Sequence, residues 1–241
     1  MNKVKKNEPQ QDKPVRQFGY LLNEAAPFAM QEAYKTLRTN VLFSLPGNES
    51  KCLGVTSPSP GDGKSTTATN LAISLGQIGK RVLLIDCDMR LPTVAKRFNI
   101  QVAPGLSDFL VGQTKIDEAV RNIEEYGIHV LPSGSIPPDP TGLLESRQTE
   151  RLFSALKNIY DFVIVDLPPV TTVPDAIIMS KYVDGFLLTI REKQTAHRKV
   201  EQMLKQLQMV EANLLGFVTT CGEDNSSAYN KYKHKGYKKN G

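Results

Sequence analysis

Apolar residues cluster along this chain in a repeating alternation of short solid runs and longer, helically spaced stretches. Cys52-Leu53-Gly54-Val55, Val82-Leu83-Leu84-Ile85 and Phe162-Val163-Ile164-Val165 read as short buried strands. Ile128–Leu131, Asp184–Ile190 and Leu214–Thr219 read as further strands. Between them, Thr67–Leu75 carries apolar positions at helical spacing, and helices are predicted near 195–210 and over Gly142–Ile159. Gly105–Leu110 and Ile116–Val120 suggest short helices within a less regular stretch. Ahead of the first strand, Met30–Phe43 reads as an amphipathic helix with Met30, Ala33, Tyr34, Leu37, Val41 and Leu42 as its stripe. Glu32, Lys35 and Arg38 step around its other side as a solvated face, with Glu32 and Lys35 close enough to pair, and Pro46-Gly47 ends it. Strand and helix alternate throughout, which predicts an α/β fold: a parallel sheet with helices on both faces.

Length and composition narrow this picture. At 241 residues and 40% hydrophobic content, the chain suits one sizeable domain with tails, or at most two small domains. Residues 1–28 are polar and lack sustained periodicity, so they are expected to form a flexible arm. The folded domain is expected over 29–222, and residues 223–241 form a tail without hydrophobic pattern. The formal charge is +5, but residues 231–239 alone hold five lysines and no acid, so the excess reads as tail chemistry and not as a nucleic-acid face. Cys52, Cys87 and Cys221 share no zinc-like spacing and are expected to be reduced. No apolar stretch is long enough to span a bilayer and no secretory signal is visible, which points to the cytoplasm. Any membrane association would come through a partner or a basic surface.

The chemistry sits at the ends of the three buried strands. After the first comes Ser57-Pro58-Ser59-Pro60-Gly61-Asp62-Gly63-Lys64-Ser65-Thr66, in the strand–loop–helix setting of a P-loop, with Pro58 at the usual leading glycine. Backbone amides of such a loop and the start of the following helix hold a phosphate chain, so Pro60 to Thr66 are candidate nucleotide contacts. Lys64 is suited to the β- and γ-phosphates, and the Ser65 hydroxyl to Mg²⁺. The second strand ends in Asp86-Cys87-Asp88-Met89-Arg90, and two carboxylates two residues apart repel unless a cation, a Mg²⁺–nucleotide or Arg90, lies between them. The third ends in Asp166-Leu167-Pro168-Pro169, a Walker B arrangement that carries a carboxylate to the Mg²⁺ side of the same pocket. The tail strings Tyr229, Tyr232 and Tyr237 along lysine-rich sequence, which reads either as a solubilising or weakly membrane-attracted basic tail or, more sharply, as a phosphoacceptor segment.

On these motifs the chain resembles the bacterial tyrosine kinases that regulate capsular and exopolysaccharide synthesis, in the form of a separate cytoplasmic polypeptide. The resemblance rests on the P-loop, the Asp-x-Asp-x-Arg strand, the Walker B strand, Gly105-Leu106-Ser107, Pro137-Pro138-Asp139-Pro140 and the tyrosine tail. It implies a P-loop NTPase-like fold and ATP-dependent phosphorylation of tyrosine, with Lys64, Asp86, Asp88 and Asp166 as catalytic residues and Ser65, Asp86, Asp88 and Asp166 around the metal. It implies Asp86 nearest the attacking hydroxyl, and Tyr229, Tyr232 and Tyr237 of a neighbouring subunit as acceptors. A Glu-x-x-Arg-x-x-Arg helix packs relatives into rings, and its counterpart here is Glu32, Lys35 and Arg38, with lysine at the middle position. A membrane-spanning activator that recruits the chain to the inner face of the membrane, and polysaccharide-assembly enzymes as substrates, follow from the same resemblance. Thr219-Thr220 departs from the Leu-Asn of many relatives. The rival readings are a Min/Par-type ATPase, which carries a lysine where this chain has Ser59, and a nucleotide-dependent assembly switch without kinase activity.

Overall fold

The structure, a computed structural model, describes residues 21–47 and 49–222. Among these residues seven strands form one sheet: β1 (Lys51–Thr56), β2 (Val82–Asp86), β3 (Arg121–Ile123), β4 (Ile128–Leu131), β5 (Phe162–Asp166), β6 (Gly185–Arg191) and β7 (Leu214–Thr220). Their order is β3-β4-β2-β5-β1-β6-β7, and every pairing is parallel except the antiparallel β3–β4 edge. The sheet is therefore mostly parallel, as expected, with one antiparallel strand at its edge. The three residues of that strand, Arg121-Asn122-Ile123, are too few and too polar to announce a strand.

The central strands are buried on both faces, and alternation divides their side chains between two cores. Leu83, Ile85, Val163 and Val165 face one core with Leu152, Phe153, Met203 and Leu207. Leu84, Phe162 and Ile164 face the other, with Leu71, Ala72 and Leu75 from α2 (Lys64–Gly76). Helix α1 (Phe28–Ser44) lies over α2, where Tyr34 donates to the Thr66 carbonyl at 3.4 Å. The packed unit begins earlier than residue 29. Leu22 and Ala26 are buried, and the Leu22 amide donates to Asn70 Oδ1 at 2.8 Å, so the last residues of the expected arm belong to the domain.

Helix α3 (Val94–Phe98) follows β2, while α4 (Leu106–Leu110) and α5 (Ile116–Ala119) match the two short helices expected there. The single helix expected over 142–159 is two: α6 (Pro140–Leu144) and α7 (Arg147–Leu156). Asp139 caps the first, with proline at its opening position, and Ser146 interrupts the path by capping the second through the Thr149 amide. Helix α8 (Asp175–Met179) and helix α9 (His197–Gln208) complete the architecture. Among the described residues no helix is long and apolar enough to cross a membrane. Cys52, Cys87 and Cys221 are all free thiols.

Candidate nucleotide and phosphoryl-transfer site

The carboxyl ends of β1, β2 and β5 open onto a cavity of about 940 Å³, lined by the P-loop, Asp88, Arg90 and residues of β7. Gly61 and Gly63 have φ of +85° and +95°, a left-handed backbone that favours glycine. At Gly63 space is also exhausted, because a Cβ there would lie 2.8 Å from the Thr220 methyl group. The loop is braced from outside. Thr220 Oγ1 donates to the Asp62 carbonyl at 2.8 Å, and Thr171 Oγ1 donates to the Pro58 carbonyl at 2.5 Å. Among the described residues no side chain caps α2, so the amides of its first turn, which lack intrahelical partners by geometry, remain to hold an anion.

Lys64 is buried at the head of α2 and sits between two carboxylates. Its ammonium is 2.8 Å from Asp88 Oδ2, 3.6 Å from Asp166 Oδ1 and 3.3 Å from Ser65 Oγ. Burial works to lower its pKa, but the charges of Asp166, Asp88 and Asp86 outweigh that and hold it above the usual lysine value. Of the two cations considered for the space between Asp86 and Asp88, a Mg²⁺–nucleotide or Arg90, Arg90 does not take it. Arg90 turns away to the fully buried Asp175, Nε to Oδ2 at 3.5 Å, and Thr141 bridges the two. The cation beside Asp88 is Lys64.

Asp86 and Asp166 are register partners across β2 and β5, and both are fully buried. Asp86 Oδ2 accepts the Thr93 and Val94 amides at 3.1 and 3.0 Å, and Oδ1 accepts the Asp88 amide at 3.1 Å. Burial, then the charge of Asp166, pushes its pKa up to about 7, against the pull of those amides and Lys64. Among the described residues neither oxygen of Asp166 has a hydrogen-bond partner. Burial raises its pKa, while Lys64 opposes the shift.

Among the described residues no group of three or more His, Cys, Asp or Glu could by itself hold a metal. The donor set nevertheless fits Mg²⁺, which binds through one or two carboxylates with water and substrate phosphates. Asp166 offers two buried oxygens without hydrogen-bond partners among the described residues, and the Lys64 ammonium, 3.6 Å from one of them, already marks the space between Asp88 and Asp166 as one for a cation.

Of the residues predicted from sequence, Pro60, Gly61, Gly63, Lys64, Ser65, Thr66 and Asp88 line the cavity; Asp86 and Asp166 stand behind it, and Asp62 faces the turn after β6. Glu32, Lys35 and Arg38 do not form one exposed cluster. Glu32 pairs with Lys35 at 2.7 Å, but Arg38 turns inward to donate to the Ser74 carbonyl at 2.6 Å. Tyr229, Tyr232 and Tyr237 lie outside the described residues. Sequence reasoning missed Thr195, which donates to Asp62, and Arg97, whose charge acts on Asp166 and Asp86. Neither stands in a recognisable motif.

Comparison with known proteins shows the family of the chain. The profile of a family described as "AAA domain" matches residues 50–217. The Bacillus subtilis tyrosine-protein kinase YwqD is 37% identical over 206 residues, covering 86% of this chain and 85% of the relative. The chain belongs to the bacterial tyrosine-protein kinases. Among solved structures, the chimerical protein CapA2B2 superimposes with a TM-score of 0.76 at 34% identity, over 81% of this chain and 85% of that one. The septum site-determining protein MinD of Pyrococcus horikoshii, solved with Mg-ADP, shares the fold with a TM-score of 0.62 at 21% identity, covering 75% of this chain and 76% of its own. The sheet and P-loop of this tyrosine kinase are therefore those of a wider P-loop NTPase-like fold, and kinship at the level of sequence lies with the kinases.

Proposed function

We propose that this kinase transfers the γ-phosphoryl group of ATP to tyrosine hydroxyls, first on Tyr229, Tyr232 and Tyr237 of a neighbouring subunit. The observation that carries the reading is the pairing at the cavity floor: a buried lysine between two carboxylates, one of which has no hydrogen-bond partner among the described residues. Bound Mg²⁺ supplies charge neutralisation of the phosphates, with Ser65 and Asp166 as its protein ligands. The chain's own residues do the remaining work by positioning. Lys64 exchanges its contact with Asp88 for the β- and γ-phosphates, and the first-turn amides of α2 hold the phosphate chain. Asp88, released from Lys64 and lining the cavity, is better placed than the amide-bound Asp86 to accept the proton of the attacking hydroxyl.

Three tail phosphates add roughly −5 in charge to a strip that holds five lysines, which weakens tail docking and dissolves the ring in which Glu32, Lys35 and Arg38 take part. The setting we propose is regulation of capsular or exopolysaccharide synthesis, with a membrane-spanning activator and polysaccharide-assembly enzymes as partners. Incubation of purified protein with Mg²⁺ and ATP, followed by mass mapping of phosphotyrosine, tests the reading. Lys64→Met is expected to abolish labelling with the fold intact, and changing Tyr229, Tyr232 and Tyr237 together to Phe to remove most of it. Persistent labelling of Lys64→Met would mean that the P-loop is not the catalytic site.

A further inference from the structure

Asp62 is an acid inside a loop that serves to hold anions. A carboxylate free to swing into that cradle repels a triphosphate, so the loop functions only if the charge is directed elsewhere. Both of its oxygens are engaged. Oδ2 accepts the Ser59 amide at 2.9 Å, within the loop itself. Oδ1 accepts the hydroxyl of Thr195 at 2.8 Å, from the turn between β6 and α9, 133 residues away. The direction of that second bond is fixed by its neighbour. Thr195 Oγ1 lies 2.7 Å from the Arg191 amide, which can only donate, so the single hydroxyl proton goes to Asp62. Arg191 in turn lines the cavity and directs its guanidinium to the Gly61 carbonyl at 3.4 Å.

We infer that Thr195 is a positioning residue for the nucleotide: it holds the Asp62 carboxylate out of the phosphate cradle and thereby sets affinity for a nucleoside triphosphate. The inference rests on the nucleotide-binding reading given above. A charge-assisted hydrogen bond of this kind also couples the P-loop to the turn that carries Arg191 at the cavity wall. A purely structural Thr195 would secure that turn without reference to Asp62, and the two roles separate in a double-mutant cycle.

The experiment measures the dissociation constant for Mg-ATP, and KM and kcat for autophosphorylation, in the full chain and in Thr195→Val, Thr195→Ser, Asp62→Asn and the Asp62→Asn/Thr195→Val pair. Thermal melts confirm folding, and Thr195→Ala replaces Thr195→Val if the latter does not fold. Thr195→Val is expected to weaken Mg-ATP binding and raise KM about tenfold with kcat unchanged. Thr195→Ser, which keeps the hydroxyl, is expected to stay within about twofold of the unmodified chain. In the Asp62→Asn background, Thr195→Val is expected to change the constant by less than about twofold, since the charge it restrains is gone. Equal binding by Thr195→Val and the unmodified chain overturns the inference, as does an undiminished Thr195→Val effect in Asp62→Asn. An unmodified chain that binds no Mg-ATP would instead overturn the nucleotide reading.

Discussion

The carboxyl ends of β2 and β5 lie side by side, carry register-paired aspartates and are equally buried, yet the chain treats them in opposite ways. After β2 it turns back at once, so that the Thr93 and Val94 amides at the start of α3 close on Asp86. After β5, Pro168 and Pro169 carry it away with no amide to offer, and among the described residues Asp166 is left without a hydrogen-bond partner. A buried carboxylate bonded to three amides is a building element. One bonded to none costs stability and persists where a ligand completes it. The same residue type at the same sheet edge therefore serves the fold in one strand and the site in the next.

The largest expected effects test that division directly. Asp166→Asn is expected to lower autophosphorylation at least about a hundredfold, because it removes the charge that meets the metal. The same change should raise the stability of the nucleotide-free protein by at most about 1 kcal/mol in denaturant melts, because it removes a buried carboxylate without hydrogen-bond partners but also its ion pair with Lys64 at 3.6 Å. Asp86→Ala runs the other way on stability and should cost about 2 kcal/mol, because buried amides at the head of α3 lose their acceptor. If Asp166→Asn destabilises and Asp86→Ala does not, the two strand ends have been assigned the wrong roles.

A smaller effect is expected in the pH dependence. The Asp86 pKa rises from an ordinary 3.8 to about 7 in the folded chain, so between those values the folded state binds more protons than the unfolded one. Its contribution to stability is fully present below about pH 4 and is lost as pH rises through 7, on the order of 4 kcal/mol at most. Because the charge of Asp166 is the second cause of that shift, Asp166→Asn should flatten the slope between pH 5 and 7. Denaturant midpoints across that range provide the measurement, and an unchanged slope would mean that Asp166 does not reach Asp86.

How much of this was legible in the sequence follows from the range of the interactions. The P-loop, the buried strands and their terminal acids are local signals, and each falls where it was expected. The different duties of Asp86 and Asp166 depend on where the chain goes next, and nothing in Ile85-Asp86 or Val165-Asp166 encodes it. The bracing of the P-loop by Thr195 and Thr220 spans 133 and 158 residues, and spacing within a motif is blind at that distance. The sequence pattern puts Arg38 on the solvated side, because it falls off the apolar stripe of α1. It turns inward because α2 presents the Ser74 carbonyl and hydroxyl within reach. The break between α6 and α7 was hidden because Ser146 interrupts an otherwise helical apolar pattern only by capping.

The smallest expected effect separates the backbone of α3 from its side chains. If Asp86 is held by amides, the hydroxyl of Thr93 contributes nothing to that hold, and Thr93 Oγ1 is indeed buried without a hydrogen-bond partner. Thr93→Ala keeps the amide and removes the hydroxyl, so it should shift stability by no more than about 0.5 kcal/mol in either direction. It should also leave the pH slope assigned to Asp86 unchanged, because the acceptor's environment is the same. A loss above about 1 kcal/mol, or a displaced slope, would show that the hydroxyl holds Asp86 after all. The contrast between the two strand ends would then lie in side chains and not in the path of the main chain.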